Sequence, residues 1–121
     1  MLRLIVLTAL TSSLRNTYSS VTAAMVATAV DFEVFGRVQG VFVRKYTKEQ
    51  ADKLGLRGWC KNTPQGTVLG HIQGPAEKVE TMMHWLKTSG SPSSQIEKAE
   101  FRNQKEIEKF TFQEFDIRRD D

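Results

Sequence analysis

The sequence predicts a single α+β domain in which two helices pack on one face of a four- to five-stranded antiparallel sheet. Strand and helix patterns follow the order strand, helix, strand, strand, helix, strand, with one further strand near the C-terminal end. This order is the split β-α-β arrangement of ferredoxin-like folds. The length of 121 residues allows one domain and not two. A composition of 40% hydrophobic and 26% charged residues is ordinary for a globular protein.

The first strand and the first helix are indicated by the spacing of their apolar residues. Apolar and polar residues alternate over residues 30–35, with Val30 and Phe32 on the same face. Residues 45–54 carry apolar side chains at helical spacing, and Gly55 ends the helix. A loop containing two glycines therefore joins the first strand to the first helix.

A hairpin and a second helix come next. Residues 56–62 and 67–73 are predicted to be the second and third strands, because a strong turn signal at residues 63–66 separates them. Pro75 suits the first position of the second helix, where a missing N–H has no consequence. Apolar residues at helical spacing over residues 79–86 give this helix its buried face.

The last two strands are less regular. Residues 96–103 form a weak fourth strand, and residues 110–117 form the fifth. In the fifth strand Phe110 and Phe112 share one phase, whereas Phe115 has the opposite phase. Either a bulge between them or a strand with apolar contacts on both faces would account for the change.

Residues 1–27 are expected to lie outside the folded domain, which spans residues 28–121. Arg3 and Arg15 are the only charged residues among the first thirty. The segment suits a mitochondrial presequence, a secretory signal or a dispensable extension, and the sequence leaves these three open. We predict a cytoplasmic protein, or a mitochondrial one if residues 1–27 act as a presequence.

Charge and composition argue against several classes of function. The net charge is +3, but from Asp31 onward fifteen basic residues balance fourteen acidic ones. Nucleic-acid binding needs a clustered basic face, so we expect no nucleic-acid partner. One cysteine and two histidines are too few for a typical zinc site, and the apolar run near the N-terminus is too short to span a bilayer. We therefore expect no metal, no cofactor, no membrane partner and a monomer.

The loop between the first strand and the first helix is a candidate anion site. Backbone N–H groups at a helix N-terminus lack intrahelical partners, and glycines allow several of them to face one anion. Arg44, where the helix begins, offers a planar fork that matches two phosphate oxygens. The alternative is a strand-to-helix turn that needs glycine only for its geometry.

Four other side chains are candidates for chemical roles. Asn62 ends the second strand, and its amide either bonds to the adjacent turn or faces a water or ligand beside the Arg44 loop. Cys60 has no arginine or helix start soon after it, which favours a structural cysteine over a phosphatase nucleophile. His71 and His84 have no neighbouring Asp, Ser or Cys arranged for a triad.

Two segments resemble the signatures of the acylphosphatase family. The first is Gly-Arg-Val-Gln-Gly-Val-Phe-Val-Arg at residues 36–44, and the second is Gly-Trp-Cys-Lys-Asn-Thr-Pro-Gln-Gly-Thr-Val at residues 58–68, followed by Gly74. The resemblance extends over about residues 28–121. The chain departs from it at Val43, where the family usually has an aromatic residue before the arginine.

The resemblance implies hydrolysis of the carboxyl–phosphate bond of a small-molecule acyl phosphate, without a metal or a covalent phosphoenzyme. It implies that Arg44 binds the phosphate and that Asn62 orients the attacking water. The phosphate-binding residues are then Gly36, Arg37, Val38, Gln39, Gly40, Val41, Phe42, Val43 and Arg44. The alternative is a non-catalytic phosphate- or partner-binding ferredoxin-like module, for which Val43 is the main support. RNA binding is a weaker third hypothesis.

Overall fold

The computed structural model describes residues 27–119, which contain five strands and two helices. In chain order these elements are β1 (Ala27–Arg37), α1 (Val43–Leu54), β2 (Arg57–Asn62), β3 (Val68–Gly74), α2 (Ala76–Thr88), β4 (Gln95–Ile107) and β5 (Phe115–Arg118). The prediction for the N-terminal extension falls, except for Ala27, outside the described residues. Within them, no helix is long and apolar enough to cross a membrane.

The five strands form one sheet in the order β4-β1-β3-β2-β5. The pairs β4–β1, β1–β3 and β3–β2 are antiparallel, which confirms the predicted ferredoxin-like α+β fold. The prediction of an entirely antiparallel sheet is wrong at one edge, because β5 runs parallel to β2. The chain leaves β4 at one edge and reaches β5 at the other, and such a crossover can deliver a parallel strand.

The fifth strand begins later than the sequence predicts. It starts at Phe115, which is fully buried, whereas Phe110 and Phe112 lie in the segment that crosses to it. The Arg57 guanidinium carbon lies 3.9 Å from the centre of the Phe110 ring, and Arg57 Nη1 donates a hydrogen bond to the Phe112 carbonyl. The change of phase therefore marks the strand boundary, and neither a bulge nor a two-faced strand explains it.

β4 is longer than predicted because β1 offers it a partner over its whole length. Their pairing runs from Ala27 opposite Ile107 to Arg37 opposite Gln95, with two register shifts. The second helix also differs by one position: Pro75 precedes it as the N-cap, with ψ of 142°.

The core lies between the sheet and the two helices. Val30, Phe32 and Val34 of β1 are fully buried, and they pack with residues of both helices, such as Ala51 and Met82. Both helices therefore lie on the same face of the sheet, as predicted.

On the opposite face, a polar network holds the crossing segment against the sheet. Asp31 Oδ1 lies 2.7 Å from His71 Nδ1, and Asp31 Oδ2 accepts a hydrogen bond from Asn103. The Gln73 amide donates to the Thr111 hydroxyl and accepts from the Thr111 backbone N–H. Because Thr111 lies in the crossing segment, this network helps to fix the start of β5.

This network predicts a pH-dependent contribution of Asp31 to stability. Burial raises the pKa of Asp31, but hydrogen bonds from Asn103 and His71 outweigh it and hold the pKa below 3.8. A lowered pKa stabilises the fold above the unfolded pKa, and this stabilisation is lost as the pH falls through the folded value. We expect Asp31→Asn to reduce the free energy of unfolding at pH 7 by at most about 1 kcal/mol, because solvent screens the half-exposed carboxylate.

Urea unfolding of both proteins between pH 7 and pH 2.5 tests this prediction. The difference between them should shrink below about pH 4, the ordinary range for an aspartate. Glu106→Gln, which removes an exposed carboxylate of β4, is the charge-matched control. An Asp31→Asn difference that stays constant down to pH 2.5 would contradict it.

Candidate active site

The loop between β1 and α1, residues 38–42, makes an unusually sharp entry into the helix. Phe42 is the N-cap of α1 with a left-handed φ of 66°, which a bulky side chain rarely adopts, and its side chain is 69% exposed. Gly36, just before the loop, has φ of 127°, and a Cβ there would lie 2.2 Å from the Gln95 carbonyl oxygen. Only glycine fits at that point. The left-handed Phe42 is backbone strain of the kind that clusters at functional sites.

Backbone N–H groups in this region are available to a ligand. Within residues 27–119, the N–H groups of residues 38–43 donate to no other group. No side chain caps the N-terminus of α1, and its first turn contains no acidic residue. Unpaired N–H groups at a helix N-terminus, together with the helix dipole, favour an anion.

Two side chains hold the β1–α1 loop in place through long-range hydrogen bonds. Gln39 Nε2 donates to the carbonyl oxygens of Thr63 and Thr67, at 2.8 and 2.9 Å. On the other side, the buried Ser91 hydroxyl donates to the Val41 carbonyl. The loop is therefore tied both to the β2–β3 turn and to the segment after α2.

The β2–β3 turn is itself fixed by hydroxyl groups. The Thr67 hydroxyl donates to Glu33 Oε2 at 2.7 Å, and it lies 2.6 Å from the Thr63 hydroxyl. The Thr63 backbone N–H donates to the Thr67 carbonyl. Because Asn62 directly precedes this turn, these bonds set the position of its backbone.

Arg44 and Asn62 line the same cavity, which has a volume of about 240 Å³. The cavity lies where the β1–α1 loop, the start of α1, the end of β2 and the end of β5 meet. Its lining residues are Val38, Gly40, Phe42, Val43, Arg44, Lys45, Asn62, Ile117 and Arg119. A wider recess of about 500 Å³ near the C-terminal ends of α1 and α2 contains neither Arg44 nor Asn62.

Both polar side chains that the sequence singled out are free to act on a ligand. Asn62 Oδ1 is buried and has no hydrogen-bond partner in the described part of the chain. An acceptor left in this state costs about 1–3 kcal/mol. Arg44 is half-buried and forms no ion pair with any residue between 27 and 119. The cavity thus offers a cation and an unused acceptor together.

The sequence-predicted residues divide into two groups. Val38, Gly40, Phe42, Val43, Arg44 and Asn62 line the cavity, whereas Gly36, Arg37, Gln39 and Val41 do not. Gly36 and Arg37 belong to β1, and Gln39 and Val41 use a side chain and a carbonyl to anchor the loop. The phosphate-binding role assigned to residues 36–44 stays a prediction.

The cavity also contains three residues that sequence reasoning missed, Lys45, Ile117 and Arg119. Lys45 follows Arg44 directly, so its basic charge was a usable signal. Ile117 and Arg119 carry no local signal, because they reach the cavity only through the pairing of β5 with β2.

A family model described as Acylphosphatase matches residues 30–117. The chain belongs to the acylphosphatase family. It is 58% identical over 90 residues to acylphosphatase-2 of Gallus gallus, a match that covers 74% of this chain and 87% of that protein. It is 54% identical over 89 residues to acylphosphatase-1 of Homo sapiens, covering 74% of this chain and 90% of that protein.

Solved structures give the same result. The crystal structure of acylphosphatase from Bacillus subtilis matches with a TM-score of 0.68 and 29% identity, over 76% of this chain and 99% of that one. The family predicted from the two segments, and the prediction that the chain is an acylphosphatase, are confirmed.

The remaining candidate nucleophile and bases do not line the cavity that contains Arg44 and Asn62. His71 is on the outer face of the sheet in the Asp31 network, and His84 is exposed on α2. Among residues 27–119, no group of three or more His, Cys, Asp or Glu side chains could hold a metal ion. Cys60 is fully buried, and burial raises its pKa to about 12, although the positive charges of Arg44 and Arg119 oppose the shift.

We therefore predict that the Cys60 thiol of this acylphosphatase is unreactive toward alkylating reagents in the folded state. At pH 8 a thiol with a pKa near 12 is ionised about a thousandfold less than an ordinary one. Iodoacetamide should alkylate Cys60 rapidly in urea and at least about a thousandfold more slowly in native buffer. Cys60→Ala should keep its turnover number. Rapid alkylation of the native protein, with a parallel loss of activity, would contradict this prediction.

Proposed function

We propose that this protein hydrolyses the carboxyl–phosphate bond of acyl phosphates to a carboxylate and inorganic phosphate, without a metal ion and without a covalent phosphoenzyme. Its family and its relatives named acylphosphatase support the reaction. The observation that carries the proposal is the meeting of Arg44 and Asn62 in one cavity beside unpaired backbone N–H groups.

The phosphate group would occupy the β1–α1 loop. The N–H groups of residues 38–43 and the N-terminus of α1 supply fixed partial positive charge, and Arg44 supplies a full one. An arginine fork can donate two parallel hydrogen bonds to phosphate oxygens. These donors need little rearrangement during the reaction, because contacts of Gln39 and Ser91 already hold the loop.

Asn62 would orient the attacking water. Its buried Oδ1 accepts a hydrogen bond from the water, so that a lone pair of the water oxygen is directed at phosphorus. The new bond forms between that oxygen and phosphorus, and the bond from phosphorus to the carboxylate oxygen breaks. Among residues 27–119, none that lines the cavity is a carboxylate or a histidine. We therefore assign the proton of the water to an oxygen of the transferred phosphate.

The leaving group explains why no general acid is needed. A carboxylate is a weak base and leaves without being protonated, and the electron pair of the broken bond stays on it. The work left to the protein is positioning and charge stabilisation, which are the main contributions to catalysis of phosphoryl transfer. The basic lining of the cavity meets this requirement, and the proposed independence of metal ions rests on it.

The packing of Val43 does not favour the non-catalytic alternative. Val43 departs from the family pattern, but its side chain is 1% exposed and belongs to the hydrophobic core. The first residue of α1 is therefore well anchored, and Arg44 follows it directly.

We further propose that the protein acts as a monomer. In the described part of the chain, the only exposed large hydrophobic residues are Phe42 and Phe110, which do not form a broad apolar surface. Action in the cytoplasm, or in mitochondria if residues 1–27 are a presequence, is a proposal that rests on the sequence alone.

Benzoyl phosphate hydrolysis tests the reaction itself. We expect the full-length protein to release phosphate well above the background rate, and at the same rate in excess EDTA as in untreated buffer. No release above background would refute the proposed reaction. Inhibition by EDTA that added Mg²⁺ reverses would refute only the independence of metal ions.

Two substitutions test the division of roles. Arg44→Ala should weaken phosphate binding measured by calorimetry about tenfold or more and also lower kcat, since a charge-assisted bond contributes about 1.5–3 kcal/mol. Asn62→Ala should lower kcat about a hundredfold or more while phosphate affinity stays within about threefold.

Matched controls are available on the outer face and in the crossing segment. Arg118→Ala removes an exposed arginine that packs on Trp59, and Gln113→Ala removes an exposed amide. Both should keep kcat. Loss of phosphate binding in Asn62→Ala, with turnover of bound substrate preserved, would reverse the assignments.

A further inference from the structure

The candidate active site holds more positive charge than a phosphate group alone requires. Of its lining residues within 27–119, Arg44, Lys45 and Arg119 are basic and none is a carboxylate. A phosphate seated against Arg44 and the backbone N–H groups is also near Lys45, the next residue of α1. Arg119 comes from a different element, at the other end of the sequence, and therefore calls for its own explanation.

The register of the sheet places Arg119 on the cavity side. β5 pairs in parallel with β2 up to Arg118 opposite Lys61, so the next residue lies beside Asn62. Side chains alternate along a strand. Arg118 points to the outer face, with its guanidinium carbon 4.3 Å from the centre of the Trp59 ring, and Arg119 joins Ile117 in the cavity lining.

The charge of Arg119 acts on the interior of the site. Together with Arg44 it opposes the effect of burial on the pKa of the Cys60 thiol, which lies in β2 two residues before Asn62. The Arg119 side chain is exposed and forms no ion pair with any residue from 27 to 119. An available guanidinium at the mouth of the cavity can contact the part of a substrate that extends out of it.

We infer that Arg119 makes this protein prefer acyl phosphates whose acyl group carries a second negative charge, such as a carboxylate. The inference rests on the proposed hydrolysis and specifies its substrate class. The phosphate binds to Arg44 and to the backbone N–H groups at the start of α1, and the acyl group extends toward the end of β5. Phe42, whose exposed ring also lines the cavity, can pack against the apolar part of the same group.

Arg119 could instead stabilise the carboxylate that leaves in every acyl phosphate. The two roles differ in a measurable way. A guanidinium that assists the leaving group would accelerate the hydrolysis of all acyl phosphates alike. One that binds a second anion would accelerate only the hydrolysis of substrates whose acyl group is charged.

The test compares benzoyl phosphate with 3- and 4-carboxybenzoyl phosphate in the full-length protein. These substrates share the ring and the reacting bond, and the two isomers place the added carboxylate at different distances from phosphorus. In Arg119→Gln, the ratio of kcat/KM for a carboxylated substrate to that for benzoyl phosphate should fall about five- to tenfold for at least one isomer. A change of this size lies between the effect of an exposed ion pair and that of a hydrogen bond to a charged group.

Arg118→Gln is the matched control, because it removes the same charge from the adjacent residue on the opposite face. Its ratio should stay within twofold of that of the unmodified protein. The inference is overturned if Arg119→Gln leaves the ratio unchanged, if it slows both kinds of substrate equally, or if Arg118→Gln changes the ratio as much.

A binding measurement separates this inference from the proposed function. The phosphonate analogues in which a CH₂ group replaces the bridging oxygen cannot be hydrolysed, so their affinities do not depend on turnover. Calorimetry should show the same five- to tenfold loss of preference for the carboxylated analogue in Arg119→Gln. If benzoyl phosphate is not hydrolysed, the proposed function fails while this measurement still decides the role of Arg119. If turnover is normal and the preference is unaffected, only the inference fails.

Discussion

The Gln39 amide joins the two parts of the site, because Nε2 donates to the carbonyls of both Thr63 and Thr67 at 2.8 and 2.9 Å. Arg44 is carried by the helix that follows Gln39, and Asn62 by the strand that precedes Thr63. Neither element fixes the other through its own backbone hydrogen bonds. The distance between cation and amide must be set to within a fraction of an ångström for catalysis. This clamp is a direct polar contact between their supporting segments, and the Cys60 thiol adds a long one of 4.0 Å to the Arg44 carbonyl.

The features that suit the site to a ligand lower the stability of the protein when no ligand is bound. Phe42 holds a left-handed backbone, Asn62 Oδ1 is buried without a partner among residues 27–119, and the N–H groups of residues 38–43 are unpaired there. The sheet can offset these energetic costs because the inner faces of the central strands β1 and β3 are fully buried. At Gly70 of β3, a Cβ would lie 2.2 Å from the Phe32 ring. A phosphate and a water would satisfy the unpaired groups, so binding energy is concentrated where the reaction occurs.

Sequence reasoning succeeded where the determinants are local. The alternation of apolar and polar residues around Phe32 predicts β1, and the glycines before Arg44 predict a loop that leads into a helix. The family resemblance then assigned Asn62 to the same site as that loop. It failed at the C-terminal end, where Phe110 looks like a strand residue but packs under Arg57 instead. Tertiary contacts between distant segments decide where β5 starts and which strand it joins. Arg119 could not be predicted for the same reason. Its position depends on the parallel pairing of β5 with β2, which the chain makes only after it has crossed from β4 at the opposite edge of the sheet.

The chemistry of the cavity limits the class of substrate that it can turn over. The lining residues that the structure describes are cations, an amide and apolar groups, and among them only the cations could donate a proton to a departing oxygen at neutral pH. A phosphate ester of similar size can be held by the same N–H groups and Arg44, but its alkoxide is a strong base and leaves poorly unless it is protonated. An acyl phosphate releases a carboxylate and has no such need. With the roles proposed for Arg44 and the loop, both classes would bind, and discrimination between them would arise in the transition state, from the leaving group.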